Sequence, residues 1–271
     1  MSAPGWTVAE LMSSCVAREL SDGETAFIGV GTGRGFTLAV GIPLVAARLA
    51  QLTHAPHFVV ELGPMVSPDL REMPRRWSED VVLTWPAAAR ISEEDSLDRL
   101  VAGRIDVAFM AGAQVDVFGN INSTIIGTYE APKRRLIGVL AQPELLAFAR
   151  KPLILMVQTR RSLVEEVDFI TGVGYYRGGS SRDALGLPGG GPRKLITNLA
   201  VFDFETPDHR MRLESAHPGV EPRDVQANAS GEFVVPPRVP ETPAPTADEV
   251  RLIREVIDPD GALIGGDLTS T

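Results

Sequence analysis

Short apolar runs recur along the chain with helical patterns between them, and that alternation restricts the fold more than any other feature of the sequence. The runs fall at Ala26–Val30, His57–Glu61, Val107–Met110, Leu136–Val139, Leu153–Val157, Phe169–Val173 and Leu195–Phe202. Most are apolar on successive positions and not on alternate ones, which is the pattern of strands covered on both faces. The first helix is announced by Thr7 with Glu10 three positions on, a capping box. Val8, Leu11, Met12, Cys15, Val16 and Leu20 follow at helical spacing, and Ser21-Asp22-Gly23 ends the segment. Cys15 lies on the apolar face as a small core residue. Ala26–Val30, the glycine-rich stretch 29–35 and a helix from about Pro43 to Leu52 then form a strand, a loop and a helix. Strands that alternate with helices in this order predict an α/β fold, a mainly parallel sheet with flanking helices.

Length and composition bound the rest. A chain of 271 residues, 44% apolar and 23% charged, is large enough for a sizeable core and has the balance of a globular protein. The formal charge of −9 repels phosphate backbones and anionic lipid, which argues against nucleic-acid and membrane partners. One cysteine makes no internal disulfide, and four histidines without companion cysteines do not spell a zinc site, so no metal is expected. The opening Met-Ser-Ala-Pro-Gly-Trp lacks the basic start and apolar run of a signal peptide, and the expected location is the cytoplasm. Residues 1–232 read as one α/β domain. In 233–271, a proline-rich strap (Val234–Pro245) leads to a second capping box at Thr246 and Glu249, with Val250, Ile253 and Ile257 as an apolar stripe. Strap and helix are expected to pack back on the same domain.

Several segments invite a chemical reading beside a structural one. The 29–35 loop could offer N–H groups to a phosphate, but it lacks Gly-Lys-Ser/Thr and a well-placed ribose-binding acid, and a tight turn explains it as well. Glu61 ends an apolar strand ahead of Leu62-Gly63-Pro64, where open α/β sheets place ligands, although a solvated strand-end glutamate has the same signature. Ala111–Thr124 packs amides, glycines and hydroxyls directly after a buried strand, and those groups need either a ligand or their own backbone as partner. His54 and His57 have no third metal ligand nearby. His209 and His217 sit in polar turn contexts without a role. Lys133-Arg134-Arg135 and Arg160-Arg161 read as solvated faces, with phosphate contact as the alternative.

Taken together, some of these segments carry a resemblance. Val59-Val60-Glu61-Leu62-Gly63, then Ala111-Gly112-Ala113-Gln114-Val115-Asp116, then Phe118-Gly119-Asn120-Ile121-Asn122-Ser123-Thr124 come first. Ile126-Gly127-Thr128-Tyr129 with Pro132-Lys133, Val167–Thr171, Leu185–Gly189 and Leu252–Pro259 extend them over nearly the whole chain. The set resembles the B (beta) subunit of family I CoA-transferases of the glutaconate CoA-transferase type. The resemblance implies a CoA-transferase-like α/β fold and a homologous A subunit as partner, in a heterotetramer or larger assembly, with the active site where the subunits meet. It implies no permanently bound cofactor, with coenzyme A as substrate and transient covalent adduct.

The family carries a glutamate nucleophile in a Glu-x-Gly turn, and Glu61 stands at that place. On this resemblance its carboxylate attacks an acyl-CoA, and a glutamyl-CoA thioester passes CoA to an incoming acid. Gln114 and the backbone around Gly119 and Asn120 are the candidate oxyanion and substrate donors. The sequence departs from the family at two places. A Gly-Gly-Ala-type loop is replaced by Gly138-Val139-Leu140-Ala141-Gln142-Pro143-Glu144, and a stretch around Arg34–Val40 looks inserted. Relatives of this fold include CoA-ester lyases and ring-opening hydrolases, which stand as the alternative, and a non-catalytic subunit that completes a partner's pocket is a third.

Overall fold

A computed structural model of the protein describes residues 5–29, 35–78, 80–266 and 268. The middle of the glycine-rich loop, 30–34, lies outside the described residues. The chain divides into two compact units, one formed by 1–99, 104–109 and 243–271, the other by 100–103 and 110–242.

In the first unit Thr7 starts helix α1 (Val8–Arg18) as the sequence predicts. The Thr7 hydroxyl accepts from the Glu10 N–H at 3.2 Å, and the Glu10 carboxylate accepts from the Thr7 N–H at 2.6 Å. Two of the helix's orphan donors are thereby satisfied. Leu11, Met12, Cys15 and Val16 are buried, and this face packs on α2 (Ile42–Thr53). The turn before α2, Thr37–Gly41, is wound as a π-helix and passes close to the C-terminal segment. A Cβ on Gly41 would stand 2.2 Å from the Leu263 carbonyl oxygen, so only glycine fits there.

The sheet of this unit contains β1 (Thr25–Ile28), β2 (Val59–Leu62), β3 (Met65–Pro68), β4 (Ala87–Arg90) and β5 (Val107–Met110) in the order β5-β1-β2-β3-β4. β1 is central and parallel to both β2 and β5. After β2 the chain reverses at Gly63, whose φ is +50°, and β3 and β4 add an antiparallel edge. The second capping box also forms. Thr246 caps the helix Ala247–Leu252, which continues as a π turn through Ile257 with Ile253 and Ile257 buried. Arg18 of α1 pairs with Glu249 at 3.0 Å, and Arg254 reaches Glu10 at 2.6 Å, so the C-terminal helix is tied to α1 by charge as well as by its apolar stripe.

The second unit holds β6 (Gln114–Asp116), β7 (Ile121–Asn122), β8 (Ile125–Gly127), β9 (Pro132–Arg135), β10 (Lys151–Met156), β11 (Leu163–Val164), β12 (Lys194–Thr197), β13 (Ala200–Asp203) and β14 (Arg212–Ala216). β10 and β12 run parallel, and β13 and β14 extend them antiparallel. β6 pairs with β7 and β11, and β8 with β9. The architecture is the expected α/β class, with mixed sheets, parallel strands at their centres and helices alongside. Among the described residues no helix is long and apolar enough to cross a membrane.

Three apolar runs are not the strands they suggest. Leu195–Phe202 is a hairpin, because the Thr197 hydroxyl accepts from the N–H groups of Leu199 and Ala200 and turns the chain between β12 and β13. Leu136–Val139 is a loop with Ile137 fully exposed, and the strand lies one step earlier in the charged Pro132–Arg135. Phe169–Val173 stays irregular: Thr171 and Gly172 both donate to the Ile121 carbonyl, and Leu146 occupies the space where a Cβ of Gly172 would go.

The proline-rich segment runs beside β14, with parallel bridges Arg212 to Val234 and Ala216 to Glu241. Its anchor is His217, which the sequence left without a role and which is 3% exposed. Nε2–H donates to the Thr197 carbonyl at 2.8 Å, so Nδ1 accepts from the Thr242 hydroxyl at 3.0 Å. Burial holds the imidazole down at about 4. An unfolded histidine gains its proton near 6.5, so the contribution is complete above that pH and is lost as pH falls from there toward 4, by up to about 3 kcal/mol. Urea midpoints measured from pH 7 to 4.5 should fall steeply for the wild type. They should fall less for His217→Gln.

Candidate functional site

β2 puts a carboxylate where its neighbours are apolar. Val60 and Leu62 are buried on one face, and Glu61, opposite Phe27 of β1 and Val66 of β3, is buried on the other with 0% exposure. A buried carboxylate is sustained only with a charge partner and hydrogen bonds. Arg99, on the helix Glu93–Val101, supplies both. Its Nε and Nη2 donate to the same oxygen, Oε1, at 2.6 and 2.5 Å. Oε2 is equally buried and has no partner among the described residues. Among the described residues the carboxylate is therefore asymmetric, with one oxygen held by two N–H groups and the other without a partner. Unpaired buried polar atoms are few in native proteins, and a bare carboxylate oxygen beside an anchored one is poised to accept a bond from something else.

The amide-rich segment belongs to the second unit and mostly serves its own backbone. Asp116 accepts from the N–H groups of Phe118 and Asn120 and from Asn120 Nδ2, while burial pushes its carboxyl up to about 6. Asn120 Oδ1 accepts from the N–H groups of Gly174 and Tyr176, and its Nδ2 also reaches the Tyr176 carbonyl, so its amide is fully used. The Gly119 N–H donates to the Asp116 carbonyl. Gly119 has φ +71°, and a Cβ there would meet Pro192 and Phe204 at 2.8 and 2.9 Å. Gln114 accepts through Oε1 from Asn122 Nδ2 and the Asp168 N–H, and its Nε2 donates to no described residue. Of the three expected donors, Gln114 alone keeps a side-chain N–H. Glu61 falls in the first unit and these three in the second.

The loop that departs from the family pattern is anchored at both ends. Ser123 Oγ is 2.6 Å from the Gly138 carbonyl and 2.8 Å from Gln142 Oε1, and Gln142 Nε2 donates to the Ala111 carbonyl. Val139 and Leu140 between the anchors are exposed, as is Ile137 just before them. His54 and His57 are turn residues: His57 pairs with Asp22, and His54 bonds the Thr53 hydroxyl and the Leu20 carbonyl. Arg134 and Arg135 are exposed on β9, with Arg135 6.0 Å from the Tyr129 ring centre. Arg160 donates to the Ala229 carbonyl.

Sequence reasoning missed Arg99. It lies 38 residues from Glu61 on an amphipathic helix with three acidic residues in its first turn, where an arginine in the last turn reads as helix-dipole pairing. Only a search for the counter-charge that a buried Glu61 requires would have pointed to it.

The first unit is an α/β fold with a buried carboxylate, anchored through one oxygen, at the end of a parallel strand. Comparison with known proteins makes the class specific. The model of the coenzyme A transferase family matches residues 9–228. The B subunit of the 3-oxoadipate CoA-transferase of Pseudomonas knackmussii is 36% identical over 252 residues, covering 92% of each chain. The B subunit of the glutaconate CoA-transferase of Acidaminococcus fermentans is 31% identical over 96% of this chain and 95% of its own. The crystal structure of glutaconate coenzyme A-transferase from that organism matches with a TM-score of 0.82 at 27% identity, over 97% of this chain and 99% of that one. The cholesterol ring-cleaving hydrolase IpdB subunit of Mycobacterium tuberculosis is 34% identical over 79% of this chain and 83% of its own. The chain belongs to the coenzyme A transferase family, as a family I CoA-transferase of the B-subunit type.

Proposed function

We propose that this chain, with a homologous A subunit, moves CoA between an acyl-CoA and a carboxylic acid of the glutaconate type through a glutamyl-CoA thioester on Glu61. The observation that carries the reading is the carboxylate itself. A nucleophile for a thioester needs an oxygen available for attack and a side chain fixed in place, and among the described residues Arg99 fixes Glu61 through Oε1 while Oε2 has no partner. Coenzyme A then enters as substrate and leaves as product. Two relatives whose names specify dicarboxylic acids, 3-oxoadipate and glutaconate, support an acid of that class.

The assembled complex, given acyl-CoA esters without an acceptor acid, should accumulate a CoA adduct on this chain. Intact mass and peptide mapping should place it on Glu61, and a carboxylate acceptor should discharge it. The exposed Val139 and Leu140, standing where the transferases carry small residues, favour a hydrolase or lyase as second reading. Consumption of acyl-CoA by water addition or CO2 loss, with no adduct on Glu61, would establish that alternative and overturn the first.

A further inference from the structure

We propose that Arg99 makes the two oxygens of Glu61 chemically inequivalent: Oε1 stays on the protein through every turnover and carries the oxyanion charge, while Oε2 attacks and is exchanged. The inference rests on Glu61 being the nucleophile and assigns Arg99 as its positioning residue. Two N–H groups of one rigid guanidinium meet at Oε1, and the bare Oε2 shares the same buried end of β2. A planar fork holding one oxygen stops the carboxylate from turning over about its Cγ–Cδ bond.

The fate of each oxygen follows from the steps. Oε2 attacks the thioester carbonyl carbon, the C–S bond breaks, and CoA leaves as thiolate from a mixed anhydride. The thiolate attacks Cδ of Glu61, and the electron pair moves onto Oε1, where Arg99 already donates two hydrogen bonds. The intermediate collapses by breaking the Cδ–Oε2 bond, so the first acid departs as a carboxylate carrying Oε2. An incoming carboxylate attacks Cδ of the glutamyl thioester, again placing charge on Oε1, and the thiolate leaves. That thiolate attacks the new acyl carbonyl and breaks its bond to the bridging oxygen. The free Glu61 therefore regains a carboxylate whose second oxygen came from the acceptor acid. Arg99 thus occupies the oxyanion position of both intermediates centred on Glu61. It does so in a chain that has replaced the family's Gly-Gly-Ala-type loop.

The test is to run the assembled enzyme for many turnovers on an acyl-CoA with acceptor acid labelled by oxygen-18 in both carboxyl oxygens, then weigh the peptide containing Glu61. The wild type should gain one heavy oxygen and stop there. Arg99→Lys keeps a positive charge but loses the two-pronged hold. It should take up the second heavy oxygen as turnovers accumulate, with kcat lower by about 100-fold and KM little changed. Arg99→Ala supplemented with methylguanidinium should recover part of the rate and the one-oxygen limit. Uptake of two heavy oxygens by the wild type at the pace of turnover would overturn the proposal, as would an Arg99→Lys enzyme matching the wild type in both label and kcat. Transfer without any label entering Glu61 would instead sink the nucleophile assignment, so the two failures are told apart. Should the variants not fold, two-oxygen labelling of the wild type still overturns the proposal and one-oxygen labelling supports it.

Discussion

Glu61→Gln in the assembled complex should lower kcat by at least about 10⁴-fold, the scale on which enzymes lose rate when a covalent nucleophile is removed. The amide is nearly isosteric with the carboxylate, so the substitution removes nucleophilicity and charge without opening a cavity. It leaves Arg99 without its anion, but that side chain is 38% exposed and can turn to water. The folded state should survive, and a melting temperature within a few degrees of the wild type would show that the loss is chemical. Glu61→Asp supplies the geometric half of the prediction. Shortening the side chain by one methylene pulls the oxygens back by about 1 Å from both Arg99 and the thioester, which should cost on the order of 100-fold in rate. A non-catalytic subunit would show neither loss. Steady-state assays of the three proteins against one acyl-CoA and acceptor pair decide between these outcomes.

The largest effect on stability is expected at Arg182, which is 4% exposed and whose hydrogen bonds all go to backbone carbonyls. Its guanidinium donates to the carbonyls of Val173 and Gly174 through Nη1, Leu146 through Nη2, and Gly189 through Nε and Nη2, at 2.7 to 3.2 Å. One side chain thus satisfies the end of the helix Gln142–Phe148, the irregular segment before Tyr175 and the glycine run at 189. Burial pushes its pKa down, yet the ring of carbonyl dipoles stabilises the cation. Arg182→Ala strands several buried acceptors at once and should destabilise the protein by about 3–5 kcal/mol. Arg182→Lys should recover little, because a single ammonium cannot reach acceptors arranged around a planar fork. Urea midpoints of the three proteins, followed by circular dichroism, give the comparison.

Much of the local structure was legible because its causes are local. Thr7 with Glu10 and Thr246 with Glu249 are three residues apart, and each pair forms the cap that its spacing predicts. β2 and β5 match apolar runs in the sequence for the same kind of reason, since strands buried on both faces admit few polar residues. The errors share one origin. Leu136–Val139 is as apolar as a strand, but whether a short apolar run pairs or protrudes depends on what lies opposite, and no residue within the run records that. The break at Asn198 within Leu195–Phe202 depends on a hydroxyl, Thr197, that the composition of the run hides.

The site divides in the same way. The sequence by itself determined the two capped helices, the apolar strands β1, β2, β5 and β10, the position of an acidic residue at the end of an apolar strand, and the motifs that placed the chain in its family. Tertiary structure alone decided that Glu61 is fully buried, that one of its oxygens is held while the other has no partner among the described residues, and that Asn120 and the Gly119 N–H close a loop on themselves. It also turned His217 from an ordinary turn residue into a buried neutral anchor. The physical reason is range. Caps, turns and periodicity act over a few residues and leave their pattern in the sequence, whereas burial and charge pairing join residues that only the folded chain brings within hydrogen-bonding distance, as with Glu61 and Arg99, 38 positions apart.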